Sequence, residues 1–189
     1  MIIKTIKGHK SRNPSKILKL LRYIHNEEKM ASPTDGKSCF SKQFLRGFDA
    51  EPWVNQILEC DKAKTYNNHI NRVIVRHEVC SFSRESSSYL LRNRNVLKEI
   101  QREYLKRRSS APGIAVVHYE EGKQIHIHFA FGATNIDGTS NRLNNKQFKE
   151  FKHQIESFQR SRYPELHHSE IEHGYRKKKA EQEPIKRLK

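Results

Sequence analysis

The sequence predicts an α+β domain, a central antiparallel sheet of four or five strands with helices packed on one face. Three observations carry this. Residues 114–131, IAVVHYEEGKQIHIHFAF, read as two short strands, Ile114–Tyr119 and Ile125–Phe131, joined by a turn about Gly122, the pattern of a hairpin. Residues 73–82, VIVRHEVCSF, alternate well enough for a strand. Phe148, Phe151, Ile155 and Phe158 recur at helical spacing after a Gly/Asn-containing loop over 132–142.

The elements follow in order. Residues 1–7, MIIKTIK, are a strand candidate, and 8–12 a basic loop. Asn13-Pro14 starts a helix, with Asn as N-cap and Pro at the first helical position. Ile17, Leu20, Leu21 and Ile24 form its apolar stripe. Tyr23 lies off the centre of that stripe, flanked by Lys16, Lys19 and Arg22, and taken alone reads as an ordinary edge residue. Residues 30–50 hold Pro33, Gly36 and Gly47 with little periodicity. They read as a long loop, which in a small domain is often functional. Glu51–Ala63 is helical, with Trp53, Val54, Ile57 and Leu58 inward. On the strand over 73–82, Val73, Val75, His77, Val79 and Ser81 share one face; Ile74, Arg76, Glu78, Cys80 and Phe82 share the other. Residues 86–108 read as one long basic helix with Leu90, Leu97, Ile100 and Tyr104 inward. Pro112-Gly113 ends that connection. The hairpin after it has the strongest apolar parity, so it belongs at the centre of the sheet.

The chain has 189 residues, with 37 Lys and Arg against 21 Asp and Glu, a formal charge of +16. Such a surplus self-repels unless a polyanion is near, and it points to nucleic acid ahead of an anionic membrane. No apolar run approaches membrane-spanning length and no signal peptide opens the chain, so a cytoplasmic protein without membrane insertion is expected. Cys39, Cys60 and Cys80 show no paired ligand spacing and read as free thiols. One domain over residues 1–165 and a basic tail over 166–189 are expected. The tail carries Arg176-Lys177-Lys178-Lys179 and Lys186-Arg187, which suit phosphate contacts. His167, His168 and His173 fit no ligand pattern.

The hairpin also carries the chemistry. With strands Ile114–Tyr119 and Ile125–Phe131 and a symmetric turn about Gly122, His118 pairs with His126. His118, His126 and His128 then converge on one face. Three neutral imidazoles make a divalent-metal site. The plainer alternative is the polar side of a half-exposed strand. A metal beside a basic surface suggests phosphodiester chemistry. The shortage of carboxylate ligands favours a protein nucleophile, a tyrosine or a serine.

These residues resemble a family. H-I-H on a strand with a third His eight residues earlier resembles the HUH endonucleases. LLRYIHNEE around Tyr23 resembles the first motif of conjugative relaxases of the MobP/MobQ mobilisation type, and HEVCSFSRE over 77–85 is similar to their second. The order Tyr, Ser motif, His motif is the relaxase order, and the resemblance covers about residues 1–165. It implies an HUH/relaxase-like sheet with helices. It also implies Tyr23 as the nucleophile that ends as a 5′-phosphotyrosine, and Ser81 as a DNA contact near the nick. His118, His126 and His128 would be ligands of Mg²⁺ or Mn²⁺. The implied partners are single-stranded and supercoiled DNA at a transfer origin of a plasmid or mobile element, an accessory relaxosome protein and a coupling protein. Where many members carry Asp between the first His and the His pair, this chain has Glu120-Glu121, so Glu120 or Glu121 takes the orienting role. Members often have Asn soon after the pair; here Gly132-Ala133-Thr134 precede Asn135. His25, Glu78 and Glu120 are the candidate bases for Tyr23.

Two other readings stand beside this one. A replication initiator or single-Tyr transposase would use Tyr163 or Tyr175, after the His motif. A basic DNA-binding accessory protein would use no nucleophile at all.

Overall fold

The computed structural model describes residues 1–9, 13–66, 72–120, 122 and 124–169. The strands are β1 (Ile2–His9), β2 (Phe40–Gln43), β3 (Val75–Ser81), β4 (Gly113–His118) and β5 (His126–Gly132). The helices are α1 (Pro14–Ile24), α2 (Glu27–Met30), α3 (Ala50–Lys62), α4 (Arg84–Arg92), α5 (Arg94–Arg108) and α6 (Asn145–Arg162), followed by a 3-10 segment, Pro164–Ser169. The five strands form one antiparallel sheet in the order β1-β3-β5-β4-β2. The hairpin is central, as its parity predicts, and His118 pairs with His126 across it. Gly122 supplies the left-handed backbone of the turn, with φ of 70°.

Helices cover both faces of the sheet, not one. Ala115, Val117, Ile127, Phe129 and Phe131 pack with Leu97, Ile100, Tyr104, Phe151 and Leu166 from α5, α6 and the 3-10 segment. Ile114, Val116 and Ala130 lie on the other face with Ile17, Leu21 and Ile24 of α1 and Trp53, Val54 and Ile57 of α3. The physical reason is the composition of β4: its six residues are all buried, so no face of it can be left to water. The imidazoles sit on the α1–α3 face, at the end of the strands where that apolar cover stops.

Asn13 caps α1, its side chain accepting from the Ser15 N–H at 2.9 Å, with Pro14 at the first helical position. The expected long helix over 86–108 is two helices, because Asn93 leaves the helical region (φ −121°, ψ 58°) and bonds the carbonyls of Tyr89 and Leu90. The expected loop over 30–50 contains β2, an edge strand on β4. All four of its residues are half-buried, so it offers no alternation to read. The basic loop residues 10–12 and the tail from 170 onward, with Tyr175, His173 and the Arg176–Lys179 run, lie outside the described residues, as does Glu121.

Glu78 is buried on the α5 face. It receives the Tyr104 hydroxyl at 2.6 Å and the Arg108 guanidinium at 2.9 Å, and Arg108 also donates to the Asn141 carbonyl at 3.0 Å. This network pins α5 and the 132–142 loop to β3. Arg108→Ala strands a buried carboxylate and is expected to cost about 3–5 kcal/mol, read by urea unfolding. Loss of under about 1 kcal/mol would show that the network is not coupled to folding.

Candidate active site

The site is assembled where the end of α1 meets the ends of β4 and β5. Two bonds make the junction. The His118 Nε2–H donates to the Ile24 carbonyl at 2.7 Å, and the Tyr119 N–H donates to the Lys29 carbonyl at 2.7 Å. They tie the end of α1 and the turn of α2 to the end of β4. Tyr23, the last exposed residue of α1, is thereby held over the imidazoles. Its ring centre lies 6.2 Å from that of His118 and 5.9 Å from that of His128, edge-on to both.

One ring nitrogen of each of His118, His126 and His128 lies within 4.8 Å of the others. The hydrogen bonds of the remaining nitrogens set the tautomers. His118 donates from Nε2, which leaves a lone pair on Nδ1. The His126 Nδ1–H donates to the Gln124 carbonyl at 2.9 Å, which leaves Nε2. His128 Nδ1 bonds His77 Nε2 at 2.8 Å, and with Nδ1–H as donor its Nε2 is left. His118 Nδ1 and His128 Nε2 are buried and have no hydrogen-bond partner. Glu120 completes the ring of electron pairs, with Oε1 3.8 Å from His118 Nδ1 and 3.7 Å from His126 Nε2. Nitrogen lone pairs and a carboxylate facing one another suit a cation between them. The trio therefore fits a divalent metal ion, with each outer nitrogen oriented by a second group.

Burial pushes the His118 and His128 imidazoles below their ordinary pKa, His128 the further because His118, His77 and His126 add their own repulsion. The folded chain thus refuses protons that the unfolded chain binds below about pH 6.5, and folding is penalised as pH falls. Metal-free protein should lose stability between pH 7 and pH 5, by up to about 1.4 kcal/mol per pH unit per imidazole. Thermal unfolding in chelator at pH 7, 6 and 5 checks this, and a flat midpoint would contradict it.

The other expected residues divide clearly. Ser81 pairs with His126 on β3, so it lies on the His face, in the row formed with His118. Lys29 Nζ stands 4.4 Å from the centre of the Tyr23 ring and 4.0 Å from Glu120 Oε1. Glu78 is on the opposite face of the sheet, inside the Arg108 network, so it is not a base for Tyr23. His25 turns from Tyr23 toward Phe40 and Trp53, its ring centre 5.3 Å and 5.0 Å from theirs. Tyr163 also belongs to the opposite core, and its hydroxyl donates to Glu99. Burial raises its pKa to about 12, and no imidazole of the trio is near it on that face. The reading that rests on Tyr163 as nucleophile loses its geometric basis. His77 was legible only as a member of the right strand face; nothing in its spacing singled out its bond to His128.

Residues 23–162 match the family described as relaxase, MobA/VirD2-like, nuclease domain. No curated protein and no solved structure matches the chain. No helix among the described residues is long and apolar enough to cross a membrane. The family match begins at Tyr23, spans the imidazole hairpin and ends with α6, covering well over half of the sequence, and the chain belongs to the MobA/VirD2-like relaxases.

Proposed function

We propose that the chain nicks one strand of DNA at a transfer origin by tyrosine transesterification, for mobilisation of a plasmid or mobile element. The observation that carries this reading is the position of an exposed tyrosine edge-on to two of three convergent imidazoles. His118, His126 and His128 hold a divalent ion, Mg²⁺ or Mn²⁺, with Glu120 as an oxygen donor or orienting carboxylate. When bound, the ion supplies positive charge to the non-bridging oxygens of the scissile phosphate.

The chain's own residues do the rest. The Tyr23 phenol loses its proton, for which Glu120 is the carboxylate at hand, and its oxygen attacks phosphorus. The bond from phosphorus to the 3′ oxygen breaks, and that oxygen leaves as a 3′-hydroxyl after taking up a proton. The 5′ end stays on Tyr23. One phosphoester replaces another, so the reverse attack by a 3′-hydroxyl reseals a strand. Lys29, beside both Tyr23 and Glu120, adds a positive charge where the phosphate must sit. Ser81 contacts the DNA backbone near the nick. Residues 1–165 form the nicking domain, and the basic tail from 166 adds phosphate contacts. Further partners are an accessory relaxosome protein and a coupling protein, in the cytoplasm of a bacterium.

The experiment is relaxation of supercoiled plasmid carrying a transfer origin. Nicked circles should form with Mg²⁺ or Mn²⁺ and vanish with chelator. Full binding without any nicking under both metals would favour the accessory DNA-binding reading.

A further inference from the structure

Residues 40–49, FSKQFLRGFD, alternate exposed aromatics with basic side chains, and the nicking reaction uses none of them. Among the described residues the large exposed aromatics are Tyr23, Phe44 and Phe48, exposed by 47%, 54% and 68%. Two of the three are on this short segment. Phe44 holds a left-handed backbone, with φ of 53°, which few non-glycine residues adopt and which is often kept at binding sites. Two exposed phenylalanines within five residues offer ring faces on which a base can stack.

A cavity of about 400 Å³ opens beside Phe48. Met30 is its buried floor, and Phe40 and His25 give it ring walls. His25 is fixed by its edge contacts with Phe40 and Trp53, so the wall is preformed. Glu27 and Asp49 stand at the rim. His25 is the C-cap of α1 and turns away from Tyr23, so the cavity lies beyond the C-terminal end of α1. Lys42 Nζ lies 4.2 Å over one face of the Phe48 ring and donates to the Gly47 carbonyl, with N–H groups left to meet a phosphate next to a base stacked on the other face.

We infer that this cavity takes one unstacked nucleobase of a single DNA strand, stacked on Phe48, and that Glu27 and Asp49 select a base carrying an exocyclic amino group. The inference rests on the reading of the chain as a protein that works on single-stranded DNA. Volume, ring walls and an adjacent cation fit a base with its sugar. The two carboxylates are the informative part. On a chain of +16 charge they oppose polyanion binding, and an acid that faces a DNA strand is useful when it accepts a hydrogen bond from a base edge. Cytosine, adenine and guanine present an amino donor; thymine presents none.

The test uses the full chain and fluorescent single strands of oligo-dC and oligo-dT, about 12 nucleotides long, followed by anisotropy at fixed salt. The two strands carry equal charge, and their bases have nearly equal stacking area. Oligo-dC should bind about tenfold tighter. Phe48→Ala should weaken both by about tenfold. The double variant Glu27→Gln, Asp49→Asn should weaken oligo-dC while leaving or raising oligo-dT affinity. Simple charge removal would raise both, so the opposite signs identify a base acceptor. Both strands tightening in the double variant would overturn amino-group selection, and no change with Phe48→Ala would overturn the stacking site. If Phe48→Ala instead converted a dimer to monomer in light scattering with DNA affinity unchanged, the cavity would be a contact between copies. All three side chains are exposed, and matched thermal unfolding of the variants verifies that they fold. Failure of plasmid nicking with the oligo-dC preference intact would count against the nicking reaction and leave this site standing.

Discussion

Tyr23→Phe is expected to abolish strand cleavage and the covalent protein–DNA adduct together, by a factor on the order of 10³ or more. The change removes one oxygen and keeps the ring. Tyr23 is nearly half exposed, and its ring contacts His118, His128 and Lys29 without entering either core. Fold and DNA affinity should therefore be unchanged, since affinity comes from phosphate contacts spread over a basic surface. A single-stranded oligonucleotide spanning the nick site should give wild-type protein a band that survives denaturing electrophoresis, and mass spectrometry should place the phosphoryl link on Tyr23. An adduct on Tyr175 would support the initiator or transposase reading. Nicked product with no adduct on any tyrosine would make water the nucleophile and remove the transesterification.

Much of this geometry is already in the residue pattern, for identifiable reasons. A hairpin has a period of two and a symmetric turn, so a spacing of eight positions from His118 to His126 with Gly122 midway determines their pairing. The stripe Ile17, Leu20, Leu21, Ile24 is likewise a one-body property of α1, and all four are buried. What could not be read were relations between elements far apart in sequence. Nothing in β3 reports that Glu78 turns inward to Arg108, or that His77 meets His128 51 residues later. Both sit on a strand whose alternation assigns the face but not the partner. The edge strand β2 is silent for another reason: its four residues are half-buried on both sides, so no periodicity distinguishes them from a loop. The break at Asn93 is set by one residue's backbone, which the smooth run of basic helix formers around it conceals.

His128→Ala and His126→Ala are the second large effect, and the pair separates chemistry from binding. His128 is buried, with Nε2 unpartnered and Nδ1 held by His77, so its loss removes a donor that nothing nearby can replace. Each variant is expected to lower Mn²⁺ affinity about a hundredfold or more and to leave nicking undetectable, while salt-dependent binding to single-stranded DNA stays within about twofold. His77→Ala should give an intermediate result, about 10–100-fold in metal affinity, because it frees the His128 ring to rotate without removing its nitrogen. Titration calorimetry with Mn²⁺ ranks the three. Equal loss for His77 and His128 would make His77 itself a ligand. Undiminished Mn²⁺ affinity in the His126→Ala, His128→Ala double variant would remove the metal centre, and with it the source of charge at the scissile phosphate.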